Sequence, residues 1–184
     1  MEAAKISKIE SMIRHSYMGV VWTHKIQEKQ ADIYIRQKNI FEIIRIISSS
    51  LTAAGLVSII FASDELWIKL LTALLSFTTL TMEALTKSFD YDKLVLSHKN
   101  TAIELLELRD KYQWLIYHAQ ESDNIMNIEA EYQKAEKKKH EIYKEAPRTT
   151  DKAVKLAGKA LHVNKDNDFS EDDINSSLSQ CLKR

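Results

Sequence analysis

The longest uncharged stretch of the sequence lies near its centre and limits what the chain can fold into. Residues 46–63 are eighteen consecutive uncharged positions, about the number that a helix needs to cross roughly 30 Å of hydrocarbon. The acidic pair Asp64-Glu65 separates them from a second apolar stretch that ends before Glu83 and carries one charged residue, Lys69. Two apolar stretches joined by a short polar turn predict a membrane hairpin, with helices at 46–63 and 66–83.

The second span is the weaker of the two, and it leaves a soluble alternative open. Thirteen uncharged residues lie between Lys69 and Glu83, a length more typical of a buried helix in a soluble protein. Trp67 and Lys69 favour the membrane, because Trp prefers the interface and the Lys ammonium can reach the headgroups. Basic residues flank the outer ends of both spans, so the positive-inside rule predicts that both termini lie in the cytoplasm.

The composition indicates an all-α chain that is not an enzyme. The sequence has 3 Gly and 1 Pro, which leaves few residues for the turns of a β-sheet. Lys plus Arg equals Asp plus Glu at 26 each, so no basic surface predicts direct nucleic-acid binding. Gly-rich phosphate loops, paired-His zinc spacings and nucleophile elbows are all missing from the sequence. We therefore expect no catalytic residues, no metal site and no cofactor.

Long helical extensions are expected on both sides of the hairpin. Isoleucines recur every seven residues from Ile26 to Ile47, which predicts a helix that runs into the first span. Pro147 marks the end of another helix, and an amphipathic stretch from Asp151 to His162 follows it. The expected layout is an N-terminal helical region at 1–45, spans at 46–63 and 66–83 around a turn at 64–65, a continuation of the second helix at 84–121, a third helix at 122–146, and a short helix with a polar tail at 147–184.

Small residues recur at four-residue spacing in the first span. Ser50, Ala54 and Ser58 fall on one side of a helix. Lipid gives no hydrophobic drive for helix association, so small residues that let two backbones approach are a usual packing device. We expect a packing face here, either within the chain or between copies.

Polar residues form a line along the second span. Lys69, Thr72, Ser76, Thr79 and Glu83 follow one another at spacings of three and four, so they share one helix face. A polar face with ionisable ends is expected to avoid lipid. It either forms hydrogen bonds inside a closed bundle or, with several copies together, lines a water-filled path.

The same helix face continues beyond the second span and becomes mainly apolar. Its residues again alternate at spacings of four and three, close to the 3.5-residue period of a coiled coil. They are Leu94, His98, Thr101, Leu105, Leu108 and Tyr112. This cytosolic seam packs either around an axis shared by several copies or against the chain's own helices, and the sequence does not separate these alternatives.

Several separate stretches, taken with the hairpin, resemble one protein family. They are Trp22-Thr23-His24-Lys25, Glu28 to Asp32, Phe89-Asp90-Tyr91, His98 to Ala102, and Leu105 to Tyr112. Over roughly residues 10–145 the chain resembles the SLATT proteins, two-transmembrane effectors of prokaryotic conflict systems. The resemblance implies an antiviral membrane effector that oligomerises and opens a pore or disrupts the inner membrane. A sensor, a nucleotide-messenger synthase or a reverse transcriptase is implied as its activating partner. The alternative functions are a membrane-tethered helical binding module or a soluble helical scaffold without pore activity.

Overall fold

The chain folds into α-helices, as its low Gly and Pro content predicts. The structure is a computed structural model that describes residues 2–61, 66–121, 125–166 and 170. Within these ranges all regular secondary structure is helical. The helices are α1 (Glu2–Phe61), α2 (Leu66–Ser88), α3 (Tyr91–Glu121), α4 (Ile125–Glu145) and α5 (Asp151–His162). The predicted turn at 64–65, the predicted start of the third helix at residue 122, and the tail beyond Ser170 lie outside the described residues.

The helix expected to continue from the second span through residue 121 is interrupted. α2 ends at Ser88 and α3 begins at Tyr91. Asp90 accounts for the new start, because its Oδ1 accepts a hydrogen bond from the backbone N–H of Lys93 at 3.0 Å. A carboxylate in this position satisfies one of the free N–H groups of a first helical turn. The hydrophobic period of 3.5 residues runs across the interruption and therefore concealed it.

One compact unit, here called the core unit, comprises residues 1–29 and 102–184. Its apolar core is formed where α1, α3 and α4 pack together. α3 contributes buried residues at spacings of three and four, which place them on one side of the helix. The core residues are Ile13, Val20, Leu105, Leu108, Tyr112, Leu115, Ala119, Ile128, Tyr132, Ala135 and Ile142.

α5 belongs to the core unit and packs through small residues. Ala153, Ala157 and Ala160 are buried, and a Cβ added at Gly158 would lie 3.3 Å from Cη2 of Trp22. The Oγ1 of Thr150 accepts a hydrogen bond from the N–H of Ala153 and caps the helix. α5 therefore lies close against α1, with its alanine face turned inward.

The second compact unit, the hairpin unit, comprises residues 30–101. It contains the two apolar helical stretches and, beyond them, a group of rings from α1 and α3. The ring of Tyr34 lies 5.5 Å from that of His98 and 6.2 Å from that of Tyr91, and Phe41 lies 5.9 Å from Tyr91. Lys38 also forms an ion pair with Asp92 at 2.7 Å. These contacts fix the start of α3 against α1.

Candidate functional site

Two helices of the hairpin unit are long and apolar enough to cross a membrane. Only 6% of the most apolar window of each is buried inside the structure. A core helix of a soluble protein would bury that surface. The outer faces instead carry exposed large side chains, including Ile43, Ile46, Ile47, Leu51, Leu56, Val57, Leu66, Trp67, Leu70, Leu71, Leu74, Phe77 and Leu80. The two helices therefore fit a two-transmembrane hairpin.

The spans are in close contact where Gly55 meets Thr72. Thr72 is 6% exposed. A Cβ built on Gly55 would clash with Oγ1 of Thr72 and would lie 3.3 Å from both its Cβ and its Cγ2. Ser48 and Thr52 share this side of α1 with Gly55, and Ser48 is also buried. Ser48, Thr52 and Gly55 are therefore small residues on a side of α1 that faces α2.

The small residues singled out from the sequence lie elsewhere on α1. Ser50, Ala54 and Ser58 are exposed, and the hydroxyls of the two serines donate to the carbonyls of Ile46 and Ala54 at 2.8 and 3.0 Å. Small residues occur on two sides of this helix, so spacing alone could not choose the side that meets α2. A packing role for Ser50, Ala54 and Ser58 stays a prediction about contacts between copies.

An open groove separates the spans further along α2. Ser49 and Thr52 line it from α1, and Ser76, Thr79 and Leu80 line it from α2. Its volume is about 290 Å³. Three residues of the predicted polar line of α2 thus have two environments. Thr72 is buried in the contact with α1, whereas Ser76 and Thr79 are half-buried and border the groove.

The two ionisable ends of the polar line lie apart from the groove. Lys69 is exposed. Glu83 is half-buried and forms an ion pair with Lys87, one turn further along α2, at 3.3 Å. The groove itself is therefore lined by neutral residues.

The hydroxyls around the groove donate to the backbone of their own helices. Thr52, Ser76 and Thr79 each donate to the carbonyl four residues earlier, at 2.8, 2.9 and 3.0 Å. Ser49 donates to the carbonyl of Ile46 at 3.0 Å. Such bonds satisfy the donors of Ser and Thr within a helix, so these hydroxyls need no water or second chain. What the groove presents is oxygen lone pairs, methyl groups and the side chain of Leu80.

A family model matches this chain over residues 9–173, that of the SMODS and SLOG-associating 2TM effector domain family 4. The chain belongs to this SLATT family. The match takes in the hairpin and extends past Pro147 to include α5, so it covers the whole hairpin unit and most of the core unit of the SLATT chain. No curated protein and no solved structure matches it.

The seam predicted beyond the second span of this SLATT chain is buried within the chain itself. In the hairpin unit Leu94 is half-buried, and His98 and Thr101 are buried. In the core unit Leu105, Leu108 and Tyr112 are buried in the core of α1, α3 and α4. Of the two alternatives left open by the sequence, packing against the chain's own helices is the arrangement in the structure. Burial also lowers the pKa of His98, which favours a neutral imidazole there.

A polar network in the core unit was not anticipated from the sequence. The carboxylate of Glu136 accepts hydrogen bonds from Ser16 Oγ at 2.6 Å, Tyr112 OH at 2.7 Å and Lys139 Nζ at 2.6 Å. Burial alone would raise the pKa of Glu136, but the bonds from Lys139, Ser16 and Tyr112 outweigh it and lower the pKa to about 2. The network therefore holds a charged carboxylate among α1, α3 and α4.

Lys139 differs from its neighbours Lys137 and Lys138 in the run of three lysines on α4. Its side chain is only 15% exposed and is bound to Glu136, whereas Lys137 and Lys138 are exposed. The sequence does contain one local signal, since Glu136 and Lys139 are three residues apart on a helix. Ser16 gives no such signal, because it lies 120 residues from Glu136.

Proposed function

We propose that this chain is a membrane effector of a prokaryotic defence system, which opens a path through the inner membrane or disrupts it when a partner activates it. Its membership of a two-transmembrane effector family supports the general role. The observation that carries the finer proposal is the groove between the spans, where Ser76 and Thr79 border an open space in an otherwise apolar hairpin. Activation comes from a sensor, a nucleotide-messenger synthase or a reverse transcriptase.

In the active state several hairpins assemble so that their hydroxyl-bearing grooves border a common path. Ser76 and Thr79 supply oxygen atoms to this path, while Thr72 stays in the contact with Gly55. Glu83 and Lys69 lie toward its two ends. A ring of carboxylates from Glu83 favours cations over anions. The basic flanks of the hairpin support an orientation with both termini in the cytoplasm.

Dye and ion leakage from liposomes tests the path with a matched pair of substitutions. Thr79→Val and Thr78→Val each remove a hydroxyl that donates to the carbonyl four residues earlier, at 3.0 and 2.9 Å. Thr79 borders the groove, whereas Thr78 lies on another face of α2. We expect Thr79→Val to slow leakage and Thr78→Val to leave it unchanged. Equal leakage from both variants would contradict the assignment.

Ion preference supplies a second measurement on the same liposomes. Glu83→Gln removes the carboxylate but keeps the shape of the side chain, so the preference for cations should fall. Lys87→Gln is the control, because it breaks the ion pair with Glu83 and leaves the carboxylate in place. An unchanged preference in the Glu83 variant would mean that this carboxylate does not face the path.

A membrane-tethered binding module is the second candidate function. The core unit favours it, since that unit has its own apolar core and the Glu136 network. Replacing residues 46–83 by an unrelated two-span anchor distinguishes the two functions. Retained toxicity in cells would favour the binding module, and lost toxicity with normal membrane insertion would favour the effector hairpin. Recovery of the unaltered chain in a detergent-free supernatant would remove both and leave a soluble scaffold.

A further inference from the structure

The groove between the spans is large enough to hold a bulky side chain. Its volume of about 290 Å³ exceeds the roughly 150 Å³ of a protein cavity that binds benzene. It is also open on the outside of the hairpin rather than sealed within it. A phenyl ring from another molecule can therefore enter it.

The lining of the groove suits an aromatic ring in particular. The hydroxyl protons of Ser49, Thr52, Ser76 and Thr79 are committed to backbone carbonyls, so the oxygen lone pairs are what face the open space. The edge of an aromatic ring carries partial positive charge. A phenyl edge directed at these oxygens, with its face against Leu80, would match the groove in both charge and shape.

The depth of the groove in the bilayer selects one such ring. Copies related by an axis along the membrane normal keep each residue at one depth, so a side chain that enters a neighbour's groove must come from the level of residues 76–80. Phe77 lies at that level and is 68% exposed. Trp67 is also exposed, but it lies about 14 Å from Ser76 along the helix at 1.5 Å per residue.

Phe77 does not fill the groove of its own chain. It is not among the lining residues, and at about 100° per residue it is rotated by roughly 60° from Leu80, 100° from Ser76 and 160° from Thr79 around α2. A contact between Phe77 and a groove thus joins two different surfaces of two copies. Repetition of such a head-to-tail contact closes into a ring when the rotation allows it.

We propose that in the resting assembly Phe77 of a second copy occupies the groove and keeps water out of it. This inference rests on the proposed function, because it names the contact through which hairpins assemble and the state in which the path is closed. A seated phenyl ring makes the groove dry, and an apolar constriction of this kind blocks conduction by dewetting. Activation then requires that the ring leave the groove.

Disulfide crosslinking in native membranes tests the contact directly. The single cysteine, Cys181, is first replaced by Ser. Differently tagged copies that carry Phe77→Cys or Thr52→Cys are then expressed together and oxidised with copper phenanthroline. We expect several-fold more crosslinked dimer from the mixture than from either variant alone. A mixture of Phe77→Cys with Ser58→Cys is the control, since Ser58 lies about 9 Å further along α1.

Two crosslinking results would overturn the proposal. If the mixture with Thr52→Cys gives no more dimer than the Ser58 control, Phe77 does not occupy the groove; this is the result expected if a lipid chain fills it. If Phe77→Cys alone gives the most dimer, the contact between copies is a symmetric one through α2.

Leakage from liposomes tests the closure separately. Phe77→Ala should leak faster than the parent protein because its groove is no longer filled, whereas Leu74→Ala, which truncates another exposed side chain of α2, should leak like the parent. Slower or unchanged leakage from Phe77→Ala would overturn the closure. Leakage without the crosslink would refute the contact through Phe77 but not the effector function. The crosslink without leakage from any variant would refute the effector function but not the contact.

Discussion

Replacing Glu136 by Gln removes a charge from the centre of the core-unit network and barely changes the shape of the side chain. In the parent protein the carboxylate accepts bonds from Ser16, Tyr112 and Lys139. An amide keeps one acceptor oxygen, but it brings a donor group to face these donors. Lys139, whose side chain is 15% exposed, also loses its counter-charge. We therefore expect Glu136→Gln to destabilise the core unit.

The size of the effect follows from the pKa of Glu136. Despite burial, which would raise it, the three bonds lower this pKa from 4.5 to about 2. At about 1.4 kcal/mol for each tenfold change in proton affinity, the fall corresponds to roughly 3 kcal/mol. Because the pKa is lowered in the folded state, this stability is present above pH 4.5 and is lost as the pH falls toward 2. The difference in stability between the parent and Glu136→Gln should therefore be largest above pH 4.5 and should shrink as the pH falls toward 2.

Hydrogen exchange of the α4 amides in the full chain, solubilised in detergent, measures this loss. At pH 7 we expect Glu136→Gln to raise the opening equilibrium by about a hundredfold, the equivalent of roughly 3 kcal/mol. As the pH falls from 4.5 toward 2 the two proteins should converge, because the Glu136 carboxyl then takes up a proton in the unfolded state before it does so in the folded state.

Glu131→Gln is the matched control for this measurement. Hydrogen bonds from Lys111 and Lys134 lower the pKa of Glu131 to about 2 as well. The side chains of these lysines are 39% and 74% exposed, so water can replace the carboxylate and the loss should be much smaller. Equal losses from Glu131→Gln and Glu136→Gln, or a difference that does not change between pH 7 and pH 3, would refute the reasoning.

Two further substitutions test the local structure of the hairpin unit. Gly55→Val should lower the free energy of unfolding by about 1–3 kcal/mol, the usual effect of overpacking, because its side chain meets Thr72; Ala54→Val on the exposed side of α1 should be near neutral in the same thermal melt. Asp90→Ala should cost about 1 kcal/mol by removing the cap of α3 and should speed exchange of the first α3 amides. Asp90→Asn should retain most of the protection, and equal effects of the two Asp90 variants would show that the side chain does not cap.

Features that depend on neighbouring residues could be read from the sequence. The two spans follow from the lack of charge in residues 46–63 and from the apolar residues after Leu66. α5 begins and ends at Asp151 and His162, the same residues as the predicted amphipathic stretch, because Thr150 provides a local cap. In each of these cases the determining residues lie within one or two helical turns of the feature.

Features that depend on distant residues could not be read in this way. The Glu136 network needs Ser16, which lies 120 residues away, and nothing near Ser16 marks it. The side of α1 that meets α2 was also missed, since serines and alanines occupy both sides and only the partner decides between them. The interruption before Tyr91 is a local event, but Asp is common in this sequence and the apolar period continues past it.

The hydroxyls of the second span show why a polar line in a membrane helix does not by itself indicate a water-filled path. From composition, a row of Ser and Thr was expected to avoid lipid. Thr78 and Thr81, however, lie away from the groove and satisfy their donors on the carbonyls four residues earlier, at 2.9 and 2.8 Å. Thr79, which borders the groove, forms the same bond. The hydrogen bond is the same on both faces of α2, so it does not distinguish Thr79 from Thr78 and Thr81. The groove does distinguish them, because only the residue beside it, Thr79, can meet water or a second chain instead of lipid.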